Sequence, residues 1–171
     1  LSPDKGKLYI SGGMLLDVPC EGNDCVCPFA GHTCQTSLDV INTKSRTVER
    51  TVPLSTSRFP NAICANDTFG VVLPTFQTIL SVDPATFTIR RSNFNSWIFA
   101  DCAFSQDGQS LYTALRDMTG ANDNKGAVAI LDANLNIKKL LKVKEGGVYY
   151  IGQVPNQNKF YAFVAKIVYP P

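Results

Sequence analysis

The sequence has few of the residues that most often carry acid–base catalysis, and it has no long apolar segment. Among its 171 residues are one histidine, His32, and one tryptophan, Trp97. Because no run of about 18 apolar residues occurs, we expect no membrane-spanning helix. The first residues lack the basic and apolar regions of a signal peptide, so we expect any secretion signal to have been removed.

Neither sign of charge is in large excess. Sixteen Lys and Arg stand against 14 Asp and Glu, which gives a net charge of +2. Surfaces that bind nucleic acid or acidic lipid usually carry a strong basic excess, so the composition argues against both partners. Phosphate-binding loops, dinucleotide fingerprints, nucleophile elbows and metalloprotease helix motifs are missing as well, and we predict no cofactor.

Helical periodicity is almost absent, and short apolar or alternating runs take its place. Residues 7–11, 70–73, 79–82 and 127–131 have the length of strands and are rich in β-branched side chains. Clusters of Gly, Pro, Asn, Asp and Ser separate such runs at intervals of about 8 to 12 residues. This pattern predicts an all-β fold.

An internal repeat refines that prediction. Residues 2–9 (SPDKGKLY) align with residues 105–112 (SQDGQSLY), and residues 65–72 fit between them, each with an Asp five residues before an aligned strand position. We expect a tight turn there, with Gly or Asn at positive φ. A second element places Asn42, Asp83 and Asp132 after apolar runs, 41 and 49 residues apart, where the third strand turns into the fourth. These spacings match four-stranded propeller blades.

The segments "SPDKGKLYIS" with "LDVINTKSRTVERTVPL", and "SQDGQSLYTA" with "VAILDANLNI", resemble the YVTN or lactonase-type repeats of β-propellers. The usual form of that repeat is "SPDG-x-x-LYV" followed by "V-x-VID-x-x-x-x-x-V". The resemblance covers nearly the whole chain and implies about three blades. It says little about function, because the repeat occurs in lyases, lactone hydrolases, surface proteins and binding modules.

The repeat divides residues 1–171 into one propeller segment. We predict blades at about residues 1–55, 56–96 and 97–146, a partial blade at 147–171, and a cysteine-rich loop insertion at 12–37. The segment opens at a second strand and closes after another, so we expect a second polypeptide to complete the propeller. That polypeptide is either the other half of a processed chain, which we favour because a cut in a surface loop starts mid-blade, or a second copy.

Six cysteines in a chain of this size indicate an oxidising compartment and a secreted protein. Cys20, Cys25, Cys27 and Cys34 lie in the insertion, where we expect disulfides; the alternative is a zinc site formed by the last three with His32. Cys64 and Cys102 lie in equivalent first strands, so they are either bridged or two buried thiols, and we expect the bridge. Asn66 begins a glycosylation sequon, Asn-Asp-Thr. We predict no metal.

The loops between fourth and first strands and between second and third strands share one propeller face, on which we expect a site. The residues that this prediction selects are His32, Arg58, Asn61, Trp97, Asp101, Arg116, Asp117 and Tyr149. Arginines with an aromatic ring suit a small polar or anionic ligand, a glycan or a protein. The alternatives are an enzyme, a lactonase-like hydrolase, lyase or cyclase acting on the propeller axis, and a structural surface or fibre component.

Overall fold

A computed structural model describes residues 2, 5–16, 33–54, 59–94, 96–117, 125–155, 157 and 159–166. All regular structure in these ranges is antiparallel β-strand, which confirms the all-β prediction. The strands are β1 Lys7–Leu16, β2 Thr33–Asn42, β3 Thr47–Pro53, β4 Cys64–Asn66, β5 Gly70–Pro74, β6 Thr78–Val82, β7 Ile89–Asn93, β8 Trp97–Phe104, β9 Leu111–Asp117, β10 Gly126–Leu131, β11 Ile137–Lys142, β12 Gly147–Gln153 and β13 Phe160–Ala165. No helix long and apolar enough to cross a membrane is found among the described residues.

The chain divides into two compact units, residues 1–60 and 61–171. The first unit holds one sheet of order β1-β2-β3. Alternation along its strands separates two faces, since successive side chains point to opposite sides. Tyr9 pairs with Val40 on the buried face, whereas Leu8 and Ile10 on the other face are exposed.

The strands of this first sheet extend into the segment predicted as a loop insertion at 12–37. β1 and β2 are paired from Lys7 with Asn42 as far as Leu16 with Thr33. The connection between the two strands is therefore residues 17–32, shorter than expected at both ends. Backbone pairing requires no particular side chains, so the ladder continues through the glycines at 12–13 and the small polar residues at 36–37.

The described residues of the second unit form three sheets in sequence order. Two are four-stranded, β4-β5-β6-β7 and β8-β9-β10-β11, and the third consists of β12 and β13. Phe69, Val72 and Ile79 of the first pack against Phe99 and Leu115 of the second. On the other face of β8-β9-β10-β11, a separate apolar cluster joins this sheet to β12 and β13. Its buried members are Ala114, Val128, Val148 and Ile151.

The predicted turn between first and second strands is present at both ends of the alignment. Ser2 N–H donates to Lys7 O at 2.8 Å, and Ser105 N–H donates to Ser110 O at 2.8 Å. The two serine hydroxyls accept the N–H of Lys7 and of Ser110 at 2.8 and 2.9 Å. Sequence alignment did not find a further copy, at residues 154–159, where Val154 N–H donates to Lys159 O at 2.9 Å.

Two details of these turns differ from the prediction. In the first turn Lys5, and not a Gly or Asn, takes positive φ (59°), at the position that Gly108 (70°) holds in the later copy. In the intermediate copy the turn is only residues 67–69, because Asn66 pairs directly with Gly70, and Gly70 takes the positive φ (73°). A shorter turn moves the left-handed residue to the first position of the next strand.

The turns between third and fourth strands have the predicted chemistry. The side-chain Oδ1 of Asn42, Asp83 or Asp132 accepts two backbone N–H groups of the residues that follow, at 2.8–3.0 Å. Each turn then passes through a non-glycine residue at positive φ, which is Arg46, Phe87 or Leu135. The side-chain hydrogen bonds favour this backbone geometry against its steric cost.

These turn carboxylates predict a stability loss in acid. Hydrogen bonds from the Thr86 backbone, the Ser105 hydroxyl and the Asn136 backbone are the main causes that lower the pKa of Asp83, Asp107 and Asp132 below 3.8. A folded pKa below the unfolded value stabilises the fold above that unfolded value, and the stabilisation is lost as the pH falls through the folded pKa.

The triple variant D83N/D107N/D132N keeps an acceptor oxygen in each turn, as Asn42 does. We expect wild type to lose stability relative to this variant as the pH falls from about 4 through the lowered pKa values. Urea unfolding between neutral and strongly acidic pH measures the difference, with D67N as the matched control at an exposed carboxylate. A difference that does not change with pH would contradict this account.

Candidate functional site

Six of the eight predicted ligand residues lie in the described chain. They are Asn61, Trp97, Asp101, Arg116, Asp117 and Tyr149. His32 and Arg58 lie outside the described residues. Among the six, one pair of side chains is in direct contact, two face the opposite side of the sheet, and two join neighbouring sheets.

Arg116 and Tyr149 form the contacting pair. Arg116 lies near the end of β9, and its guanidinium carbon is 5.3 Å from the centroid of the Tyr149 ring. Tyr149 occupies a bulge in β12, where the register with β13 shifts between Val148 and Tyr150. The Arg116 Nε is buried and has no hydrogen-bond partner in the part of the chain that the structure describes. A guanidinium held against an aromatic face with an unused N–H is suited to an anionic group.

Two glycines that sequence reasoning missed make room for this pair. Gly126 pairs with Arg116 across β9 and β10. A Cβ at Gly126 would lie 2.6 Å from both Gly146 O and Val148 N, so a side chain there would push β12 away from the sheet. A Cβ at Gly147 would meet Arg116 Cβ at 3.1 Å and the Tyr149 ring at 3.2 Å. Glycine inside a strand signals such close approach.

Trp97 and Asp117 are paired with each other on the opposite face of the same sheet. Trp97 is half-buried and packs against the apolar cluster that contains Phe99 and Leu115. Asp117 donates its backbone N–H to Lys125 O at 2.9 Å. Since neighbouring positions of a strand point to opposite faces, these two side chains do not join the Arg116–Tyr149 pair.

Asp101 and Asn61 connect neighbouring sheets of the second unit. Asp101 accepts the N–H of Cys102 at 2.9 Å through one carboxylate oxygen and the N–H of Ile151 in β12 at 3.0 Å through the other. Asn61 donates its side-chain amide to Phe99 O at 2.6 Å. Each side chain thus makes one hydrogen bond with the backbone of the next sheet.

The sequon residue Asn66 also makes hydrogen bonds with both ends of its side chain. Its Nδ2 donates to Gly108 O at 3.0 Å, and its Oδ1 accepts the N–H of Phe69 at 2.8 Å. Nδ2 is the atom to which a glycan would be attached. A glycan would replace one of the two hydrogens of this atom, next to its contact with Gly108. Glycosylation stays a prediction.

Cys64 and Cys102 are joined by a disulfide, with their Cα atoms 6.1 Å apart. The bridge that the sequence predicted between equivalent first strands is confirmed, and it links β4 to β8. Cys20, Cys25 and Cys27 lie outside the described residues, and Cys34 lies in β2, where its backbone pairs with Leu15. The described residues contain no group of three His, Cys, Asp or Glu side chains arranged to hold a metal ion.

No family model and no curated protein matches this sequence. Among solved structures, the β-propeller domain of Cps50 (Swd1) from Myceliophteria thermophila superposes with a TM-score of 0.57 at 12% identity, over 78% of this chain and 44% of that domain. The chain thus spans less than half of the propeller domain that it matches.

The chain has a β-propeller fold. Two further structures align less well. One is a protein of unknown function from Bacteroides caccae, with a TM-score of 0.42, 11% identity and 70% and 58% of the two chains covered. The other is the dihydro-heme d1 dehydrogenase NirN, with a TM-score of 0.40, 11% identity and 75% and 39% covered.

In propeller terms, β4, β8 and β12 are first strands of blades, and β5, β9 and β13 are second strands. Arg116 lies near the end of a second strand and Tyr149 lies near the start of the next first strand. Both therefore occupy the strand ends at which second strands lead to third strands and fourth strands lead to first strands. The sequence predicted ligand residues at this end.

The hydrogen bond that Asp101 accepts from Ile151 of the next blade predicts a structural role for this carboxylate. D101A removes a charged acceptor and leaves the N–H of Ile151 without it, so we expect a loss of about 1.5 to 3 kcal/mol in the free energy of unfolding. D101N, which keeps one acceptor oxygen, is expected to lose less. Urea unfolding measures both, and equal stability of D101A and wild type would show that the bond to β12 contributes nothing.

The Cys64–Cys102 bridge closes a loop with a sequence separation of 38. Loop-closure entropy then predicts that C64A/C102A unfolds with a free energy about 4 kcal/mol lower than wild type. Urea unfolding without reductant measures the loss. The same variant, unfolded with and without dithiothreitol, reports separately what any other bridges contribute. Wild-type stability in the variant would be inconsistent with a constraining bridge.

Proposed function

We propose that this chain is a secreted, disulfide-stabilised β-propeller segment that binds a small anionic molecule at the strand ends marked by Arg116 and Tyr149. The observation that carries the proposal is the Arg116 guanidinium, which lies over the Tyr149 ring and whose buried Nε has no hydrogen-bond partner among the described residues. A buried donor left unpaired costs free energy, and a carboxylate or phosphate oxygen would supply its acceptor.

Comparison between repeats supports a role beyond folding. The shared turn puts Arg116 in register with Gly13 of β1 and with Ala165 of β13, in two of the three other second strands. The bulge position of Tyr149 corresponds to Ala100 in the preceding blade. Small residues thus satisfy the fold at these positions elsewhere, so neither the guanidinium nor the phenol ring is a requirement of the repeat.

Secretion is supported by the disulfide between Cys64 and Cys102, since such bridges persist in oxidising compartments. The resemblance of the turns to YVTN or lactonase-type repeats is compatible with a binding module. It is also the whole basis for the alternative of a lactonase-like hydrolase, lyase or cyclase. The two carboxylates considered for such a site are Asp101 and Asp117. Asp101 is bonded to two backbone N–H groups, and Asp117 lies on the opposite sheet face from Arg116, so binding is the better supported function.

Ligand binding can be tested with acetate, citrate, glucuronate and inorganic phosphate as probes. We expect at least one of them to raise the Tm of the wild-type chain in a saturable way. R116A is expected to weaken that binding by about tenfold or more, since it removes the charged donor. K139A, which removes an exposed cation from β11 of the same sheet, is the matched control and should bind as wild type does.

Calorimetric titration gives the affinities of wild type, R116A and K139A. Equal affinity of R116A and wild type would place the anion elsewhere. Failure of all four probes to bind would contradict the small-anion proposal, whatever the stability of the variants.

A further inference from the structure

The two-stranded sheet β12-β13 has an aromatic face that nothing in the described chain covers. Tyr150, Tyr161 and Phe163 lie on it and are 64%, 62% and 56% exposed. Tyr150 pairs with Phe163, and the Tyr161 ring lies directly over Gly152. The opposite face of this sheet packs on the preceding blade through Val148 and Ile151. Exposed aromatic clusters of this kind are typical of interaction surfaces.

The repeat shows what kind of contact this face makes. The shared turn places Tyr161 at the position of Tyr112 and Phe160 at the position of Leu111. Tyr112 stacks on Phe160 of the next sheet, with ring centroids 3.9 Å apart. A Tyr in the second strand of one blade thus contacts the second strand of the following blade. The residue contacted lies one repeat position before the Tyr, at the position of Leu111. Tyr161 is presented for the same contact one blade further on.

The other half of that contact is exposed in the first unit. The first copy of the turn puts Leu8 in register with Leu111 and Ile10 in register with Thr113. Leu111 and Thr113 are fully buried, on the sheet face that packs against the preceding blade. Leu8 and Ile10 are 36% and 43% exposed, on the open face of β1.

We infer that a second copy of this chain covers these surfaces, rather than the other half of a processed chain, because this chain itself presents both sides of the contact. The Tyr161 face of one copy packs on the Leu8 face of the other. The Tyr161 face presents the repeat position that Tyr112 holds in the Tyr112–Phe160 contact. The Leu8 face presents the position that Phe160 holds in it. Because one face lies on β13 and the other on β1, the contact joins different surfaces of the two copies and is head-to-tail. This inference is independent of the anion site.

Light scattering after gel filtration tests the inference on the 171-residue chain. We expect wild type to elute with a multiple of its 18.6 kDa mass. Y161D and L8K each place a charge in the contact and should give monomers; Y161S, which removes the ring without adding charge, is the second variant should Y161D not fold. L141D changes a similarly exposed apolar residue on the fourth strand β11 and should associate as wild type does.

Mixing Y161D with L8K tests the orientation. Head-to-tail association predicts that the mixture regains association, because the intact Leu8 face of one variant meets the intact Tyr161 face of the other, and circular dichroism verifies that each variant is folded. A monomeric wild-type chain overturns the inference, and is the result expected if blades of a longer protein cover both faces. Association that Y161D, Y161S and L8K leave unchanged, or a mixture that stays monomeric, also overturns it.

Discussion

The sheet β8-β9-β10-β11 has two apolar faces, and the need to cover both of them determines how the second unit is built. Leu111, Thr113 and Leu115 lie on one face of β9 and are buried, and Ala114 on the other face is buried too. A sheet in a two-layer sandwich covers one face and exposes the other. Burial on both faces requires a sheet on each side, so the sheets follow one another in series, as blades do.

The polar links between successive blades follow from this arrangement. Apolar contact between two sheets does not by itself fix how the sheets are aligned, whereas directional bonds between them do. Asn61 bonds to the backbone of β8, Asp101 bonds to that of β12, and the disulfide of Cys64 fixes β4 to β8. Residue types that suggest a ligand site in the sequence are thus used as connectors between blades.

Local chemistry explains what sequence reasoning could predict. The turns at Asn42, Asp83 and Asp132 were predictable because each depends on one side chain that bonds the next few backbone groups. The turn at Val154 has the same backbone hydrogen bonds without the Asp-Gly pattern, since pairing of β12 with β13 imposes it from outside the turn. It was missed for that reason. The positive φ of Lys5 was missed as well, because the turn contains Gly6 and a glycine was expected to take that conformation.

The residues of the candidate site could be predicted one by one from the sequence, but the contact between Arg116 and Tyr149 could not. Arg116 and Tyr149 were selected because of the strand ends on which they lie, whereas their contact depends on Gly126 and Gly147, which admit β12 against β10. The turns that define the repeat lie at the other ends of these strands, where hydrogen bonding within each turn uses the polar side chains. Such turns recur because folding needs them, and for that reason they carry no information about a ligand. The strand ends at Arg116 and Tyr149 carry no such requirement, as the small residues at the equivalent positions show, so chemistry specific to this protein is expected there.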